Sequence, residues 1–304
     1  MTGRGDRRDI VEDAASGKRL LNGFAVFLIA AALFLSFRFI SGQLLWWLAG
    51  LWIKGTLPEA RLWSFLNAAQ LYAFLLMAIP VLLIVRFFEG RKITTLGLRK
   101  ARWLRESLAG AGVGVGLVGA VVLTLKLSGC IMVESTPGQP TGIVAAGPLA
   151  VFFLGYVVQG GTEELLSRGW ILTSVSARHG CVWGVALSTL YFAACHALNS
   201  GVNALAYLNL ALFGVFTSLY VFRTNSLWGA WGFHTAWNFA LGHLFGLDVS
   251  GIAAKSGTVI DLSARGNALL TGGAFGPEAG LPVSAALGIG IVWFLVKARG
   301  KADR

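Results

Sequence analysis

Runs of apolar sequence long enough to cross a bilayer recur along this chain, and they constrain its fold more than any other feature. Lipid offers no hydrogen-bond partner to a bare peptide group, so a spanning run of about 20 residues satisfies its own backbone as a helix. Eight such runs are read at 20–40, 62–88, 107–127, 148–172, 181–199, 203–222, 226–246 and 281–297. They predict an all-α, polytopic membrane protein with about eight transmembrane helices. Only 13% of the residues are charged and 56% are hydrophobic, with a mean hydropathy of +0.70, which sets the chain apart from soluble domains. Residues 20–298 read as one transmembrane helical domain, with a basic tail at 1–19, a short tail at 299–304 and the lipid bilayer as its surroundings.

The net charge of +11 belongs to the ends of the apolar runs. Basic residues gather at Arg4, Arg7, Arg8, Lys18 and Arg19, at Arg86, Arg91, Lys92, Arg99, Lys100, Arg102 and Arg105, and at Lys297, Arg299, Lys301 and Arg304. By the positive-inside bias this predicts a plasma-membrane protein with both termini cytoplasmic. No basic stripe with interleaved aromatics marks a groove, so nucleic acid is not an expected partner. The first run follows a long, partly acidic polar segment and exceeds the apolar stretch of a secretory signal, so it reads as an uncleaved span. Trp46 and Trp47 suggest an interfacial segment over Gln43 to Ile53. Two long loops, Ser128 to Gly147 and Leu247 to Gly280, map to the external side. Gly110, Gly112, Gly114, Gly116 and Gly119 predict close helix packing. Cys130, Cys181 and Cys195 form no CxxC pattern, hence neither a disulfide framework nor a thiolate metal site.

Against this background the stretch "QGGTEELLSRGW", Gln159 to Trp170, is anomalous. Of 14 acidic residues, only Glu163 and Glu164 are read as lying well inside an apolar run. A charge at the bilayer centre costs about 2.5–3.5 kcal/mol, so the pair needs a partner or a function. At about 100° per residue, Arg168 lies over Glu164 one turn later, while Glu163 points elsewhere and stays free. His196, in "FAACH", and His234, in "HTAWN" with Asn238 on the same helical face, also fall inside apolar runs. His243, nine residues after His234, is expected to face away and to serve packing. These boundaries set His196 near the external end of its helix and Glu163 nearer mid-membrane. One carboxylate, two imidazoles and a carboxamide from separate helices can activate water and polarise a carbonyl. Glu163, His196 and His234 are equally a catalytic zinc donor set. The residues alone leave both readings open.

Taken in order, "EELLSR", "FAACH" and "HTAWN" resemble the EExxxR, FxxxH and HxxxN motifs of the CAAX prenyl protease and bacteriocin-processing (CPBP) family of intramembrane proteases. The resemblance covers residues 160–246, the motif-bearing core. It implies an eight-helix membrane endopeptidase acting on a peptide or protein substrate. By the same resemblance Glu163 and His196 activate water, His234 and Asn238 stabilise the oxyanion, and Glu164 and Arg168 support them. The family has been described both as zinc-dependent, which would make Glu163, His196 and His234 the ligands, and as metal-independent. Ser167 departs from the bulky apolar residue often found before the arginine, which leaves an inherited substrate preference in doubt.

Other intramembrane protease types lack their motifs here: there is no HExxH and no GxSG, and "GRGD", Gly3 to Asp6, lies in the charged tail. A non-catalytic immunity or partner-binding protein needs none of the four polar residues. A transporter predicts paired halves, which the sequence does not contain. The short tails and compact loops point to a prokaryotic source, and nothing in the sequence speaks to oligomeric state.

Overall fold

The apolar runs fold as helices. In this computed structural model, residues 9–53, 59–253 and 256–302 are described. Gly3 to Asp6, and with them the GxGD match, lie outside that range, as do Arg4, Arg7, Arg8 and Arg304. The helices are α1 (Ile10–Ala15), α2 (Gly23–Ile53), α3 (Glu59–Ala73), α4 (Leu75–Leu83), α5 (Trp103–Leu127), α6 (Ala146–Glu164), α7 (Thr173–His179), α8 (Cys181–Cys195), α9 (Ala204–Thr224), α10 (Trp228–Phe239), α11 (Ala268–Thr271) and α12 (Leu281–Ala302).

Six stretches among the described residues are long and apolar enough to cross a bilayer: Gly23–Leu51, Arg61–Phe88, Trp103–Leu127, Gly142–His179, Ala204–Thr224 and Leu281–Ala298. The other two predicted runs give shorter helices, α8 and α10, the latter continued by a π-helical turn, Ala240–Leu244. At about 1.5 Å per residue, neither matches a hydrocarbon layer of about 30 Å. The chain is nonetheless a nearly all-α, polytopic membrane protein.

Several boundaries differ from the sequence reading. Helix α2 runs unbroken to Ile53, so Gln43 to Ile53 is not a separate interfacial segment, and Trp46 and Trp47 are exposed on the same helix. The tail at 1–19 is partly folded: Asp9 and Glu12 form a reciprocal cap on α1, which buries Ile10 and Ala14 and packs on α7. Helix α12 continues to Ala302, into the tail drawn from 299. Helix α8 stops at Cys195, because "HALNSG" is a turn whose Gly201 (φ +72) packs on Ala274 with no room for a side chain.

The two long loops meet at one end of the bundle. Ile131–Val133 pairs antiparallel with Leu262–Ala264, and Thr141 bridges to Thr258. The second loop then dips into the bundle, where Phe275 is fully buried and Glu278 nearly so. Acids outside the apolar runs are buried too: Glu89, Asp261 and Glu278 join the fully buried Glu164 and the partly buried Glu163. Loops that fold back bury charge that hydropathy places outside. Each has partners: Glu89 holds Arg91, the Trp170 indole and Ser174, Asp261 accepts from the Thr136 amide and Gln139, and Glu278 takes the Trp237 indole and the Ser250 amide.

The glycine series divides by face. A Cβ on Gly110 would come within 1.9 Å of the Gly229 carbonyl and one on Gly114 within 2.6 Å of the Phe233 carbonyl, whereas Gly112, Gly116 and Gly119 face open space. Helices α5 and α10 thus touch backbone to backbone along one stripe only. Gly110→Ala is expected to lower stability by about 1–3 kcal/mol through overpacking, and Gly112→Ala to leave it unchanged or slightly raised. Thermal unfolding of the two variants in detergent checks this, and equal melting points would contradict the packing assignment.

Candidate active site

Two adjacent glycines bring the acid pair to α10. A Cβ on Gly161 would stand 1.9 Å from the Trp231 ring, and one on Gly160 would stand 3.2 Å from the Thr235 nitrogen and 3.3 Å from the His234 ring. Small residues let α6 and α10 approach this closely, and the Trp231 indole seals the contact by donating to the Val157 carbonyl at 2.8 Å. Immediately after Glu164 the helix changes winding to a π-helix, Leu165–Leu172, before it resumes as α7. Such insertions recur at functional sites because they re-aim the side chains around them.

The two glutamates then serve different ends. Arg168 Nη1 donates to Glu164 Oε1 at 3.1 Å, with both side chains fully buried, as the helical spacing predicts. His234 Nδ1 reaches the same Glu164 oxygen at 2.9 Å, a contact the sequence did not suggest. With Nδ1 donating to Glu164, His234 Nε2 donates only when the ring carries both protons. That Nε2 lies 3.7 Å from Glu163 Oε2. Glu163 Oε1 accepts from Gln159 Nε2 at 2.7 Å, and Gln159 Oε1 accepts from Asn238 Nδ2 at 2.9 Å. Glu163 Oε2 has no hydrogen-bond partner among the described residues.

His196 arrives at the C-terminal end of α8. Its Nδ1 lies 2.8 Å from the Phe192 carbonyl, which can only accept, so in the neutral ring Nδ1 carries the proton and Nε2 the lone pair. Phe192 organises the surroundings. Arg168 sits over its ring at 4.5 Å, Phe213 stacks on it at 5.2 Å, and His196 and His234 lie at 4.8 and 5.9 Å. These aromatic faces exclude water from the Glu164–Arg168 pair and favour the cation.

Gln159, Glu163, His196, His234 and Asn238 line one cavity of ≈150 Å³, while Glu164 and Arg168 stand behind its wall. The residues singled out from the sequence therefore meet. One structural detail departs from the expectation. His243 packs on Phe152 at 4.4 Å and reaches the Gly257 carbonyl with Nδ1 at 2.7 Å, yet it lines this same cavity instead of facing away. The π-helical turn Ala240–Leu244 undoes the angle computed for a regular α-helix. Cys195, the neighbour of His196, also lines the cavity. Sequence reasoning missed Gln159, although its position one turn before Glu163 was a usable signal, and it missed Glu278, which reaches the cavity from a loop. Ser167 shares a smaller side cavity with Glu163, and its buried hydroxyl has no partner among the described residues.

No three His, Cys, Asp or Glu side chains among the described residues gather closely enough to hold a metal ion. With Glu163 Oε1, His234 Nδ1 and His196 Nδ1 held by Gln159, Glu164 and the Phe192 carbonyl, the atoms left to bind are Glu163 Oε2, His234 Nε2 and His196 Nε2.

Residues 145–240 match the model of the Rce1-like family, described as type II CAAX prenyl endopeptidase. This segment contains Gln159, both glutamates, Arg168, His196, His234 and Asn238, and the match bears out the resemblance carried by the three motifs. The family is one of membrane-embedded peptidases. No curated protein and no solved structure matches the chain.

Proposed function

We propose that this chain is an intramembrane endopeptidase that hydrolyses a peptide bond of a membrane-associated protein or peptide, with a carboxylate base and no metal. The observation that carries the reading is the divided state of Glu163: one oxygen is fixed by Gln159, and the other has no hydrogen-bond partner among the described residues, at the wall of a cavity shared with His196, His234 and Asn238.

Water in this cavity donates one hydrogen to Glu163 Oε2 and the other to His196 Nε2, which turns its lone pair toward the substrate carbonyl carbon. As the new C–O bond forms, the proton passes to Glu163. The carbonyl oxygen becomes an oxyanion that receives hydrogen bonds from Asn238 Nδ2 and from His234 Nε2–H of the doubly protonated ring. Collapse of the tetrahedral intermediate breaks the C–N bond, and Glu163 returns the proton to the leaving amine. One water is consumed, and one carboxylic acid, which releases its proton to solvent, and one amine are produced. Glu164 supports the reaction by fixing His234 through Nδ1, with its charge balanced by Arg168. The basic clusters at the ends of the apolar runs support a plasma-membrane location with both termini cytoplasmic.

The purified chain in detergent is expected to cleave a peptide library at a rate unchanged by exhaustive chelation. Loss of cleavage on chelation, with recovery on adding zinc, would overturn the carboxylate-base route.

A further inference from the structure

We propose that Gln159 is a positioning residue that ties the base Glu163 to the oxyanion donor Asn238 and sets the hydrogen-bond polarity of both, an inference that rests on the hydrolase reading above. Gln159 and Glu163 stand one turn apart on α6, and Asn238 faces them from α10. The three side chains form an unbroken chain, Asn238 Nδ2 to Gln159 Oε1 at 2.9 Å and Gln159 Nε2 to Glu163 Oε1 at 2.7 Å.

The order of donors and acceptors in this chain follows from chemistry alone. An ionised carboxylate only accepts, so Gln159 must present its NH2 end to Glu163. Its carbonyl end is then the one that meets Asn238, and Asn238 in turn must present its own NH2 there. One of that group's two hydrogens is spent on Gln159, which leaves the other for a substrate oxygen. At the opposite end Gln159 occupies Oε1 and so leaves Oε2 as the open basic atom. A single amide thereby decides which oxygen of the base reacts and which end of the carboxamide faces the oxyanion.

Packing does not explain the residue. An apolar side chain of similar size fills the same volume without burying an amide group in an apolar helix. Gln159 is also close to the chemistry, because it lines the cavity beside the residues it bridges.

The test is a double-variant cycle in detergent that reads kcat, KM and melting temperature. Gln159→Met keeps the length of the side chain and removes both hydrogen bonds. It is expected to lower kcat roughly 10–100-fold at a KM near that of the parent, and to melt near the parent temperature. Asn238→Ala removes the oxyanion donor and is expected to cost roughly 10²–10³ in kcat. Combined, the two should lower kcat by clearly less than the product of the single losses, because part of the Gln159 effect passes through Asn238. Gln159→Glu sets a second acceptor-only carboxylate against Glu163 and should lose more than Gln159→Met, which keeps the proposal testable if the methionine variant does not fold. A parent-like kcat in Gln159→Met, or a double loss equal to the product, overturns the positioning role while the hydrolase reading stands. A parent chain that cleaves nothing overturns both.

Discussion

Arg168→Met is expected to destabilise the folded protein by about 3–5 kcal/mol, the cost of leaving a buried charge without its partner. Glu164 is fully buried, and Arg168 at 3.1 Å shares its Oε1 with His234 Nδ1 at 2.9 Å, so the loss of Arg168 leaves the carboxylate only one of its two cationic contacts. Methionine fills much of the space, so lost volume accounts for little of the effect. The guanidinium also lies over the Phe192 ring, and that ring contacts both His196 and His234, so the change loosens the cavity wall as well. Arg168→Lys should rescue only part, since a point charge cannot pair with the carboxylate and lie flat on the ring together. If Glu164 is the group left stranded, Glu164→Gln added to Arg168→Met should recover part of the stability, because it removes the uncompensated charge. Thermal unfolding in detergent reads all four proteins. A melting point for Arg168→Met equal to that of the parent would mean that the pair is not the buried element it is taken to be.

The helical class was legible because lipid leaves an apolar run of this length one way to satisfy its backbone. The six pivotal residues were legible for a related reason: polar groups inside such runs are costly, so Glu163, Glu164, Arg168, His196, His234 and Asn238 stood out against their surroundings. What escaped the sequence lay where the regular helix gives way. His243 serves packing as expected but also lines the cavity, because a uniform angular step does not hold through Ala240–Leu244, which is π-helical. His196 was given an awkward depth because apolar Ala197 and Leu198 extend the run past the point where the chain already turns. Glu278 reaches the cavity from a loop whose fold depends on Trp237 and Ser250, contacts that no local pattern announces. Gln159 is a different case. Its spacing from Glu163 was visible, but its meaning needed Asn238 from a distant helix.

The largest effect on activity is expected from Glu163→Gln. The change is isosteric, and a glutamine here can still meet Gln159 by presenting its carbonyl oxygen, so the cavity keeps its shape. What it loses is the proton acceptor at Oε2, and a positioned general base contributes roughly 10²–10⁴-fold to the rate. Glu164→Gln provides the contrast: it removes no base, but it weakens the hold on His234 and strands Arg168, so it should cost stability together with rate.

The central claim, that Glu163 is the base of a buried hydrolytic site, is tested most directly by comparing turnover of the parent and Glu163→Gln on one cleaved peptide, with both proteins shown to be folded by their melting temperature. The account predicts a parent-like melting temperature and a kcat lower by roughly 10²–10⁴-fold. A folded Glu163→Gln protein that cleaves the peptide as fast as the parent would contradict it.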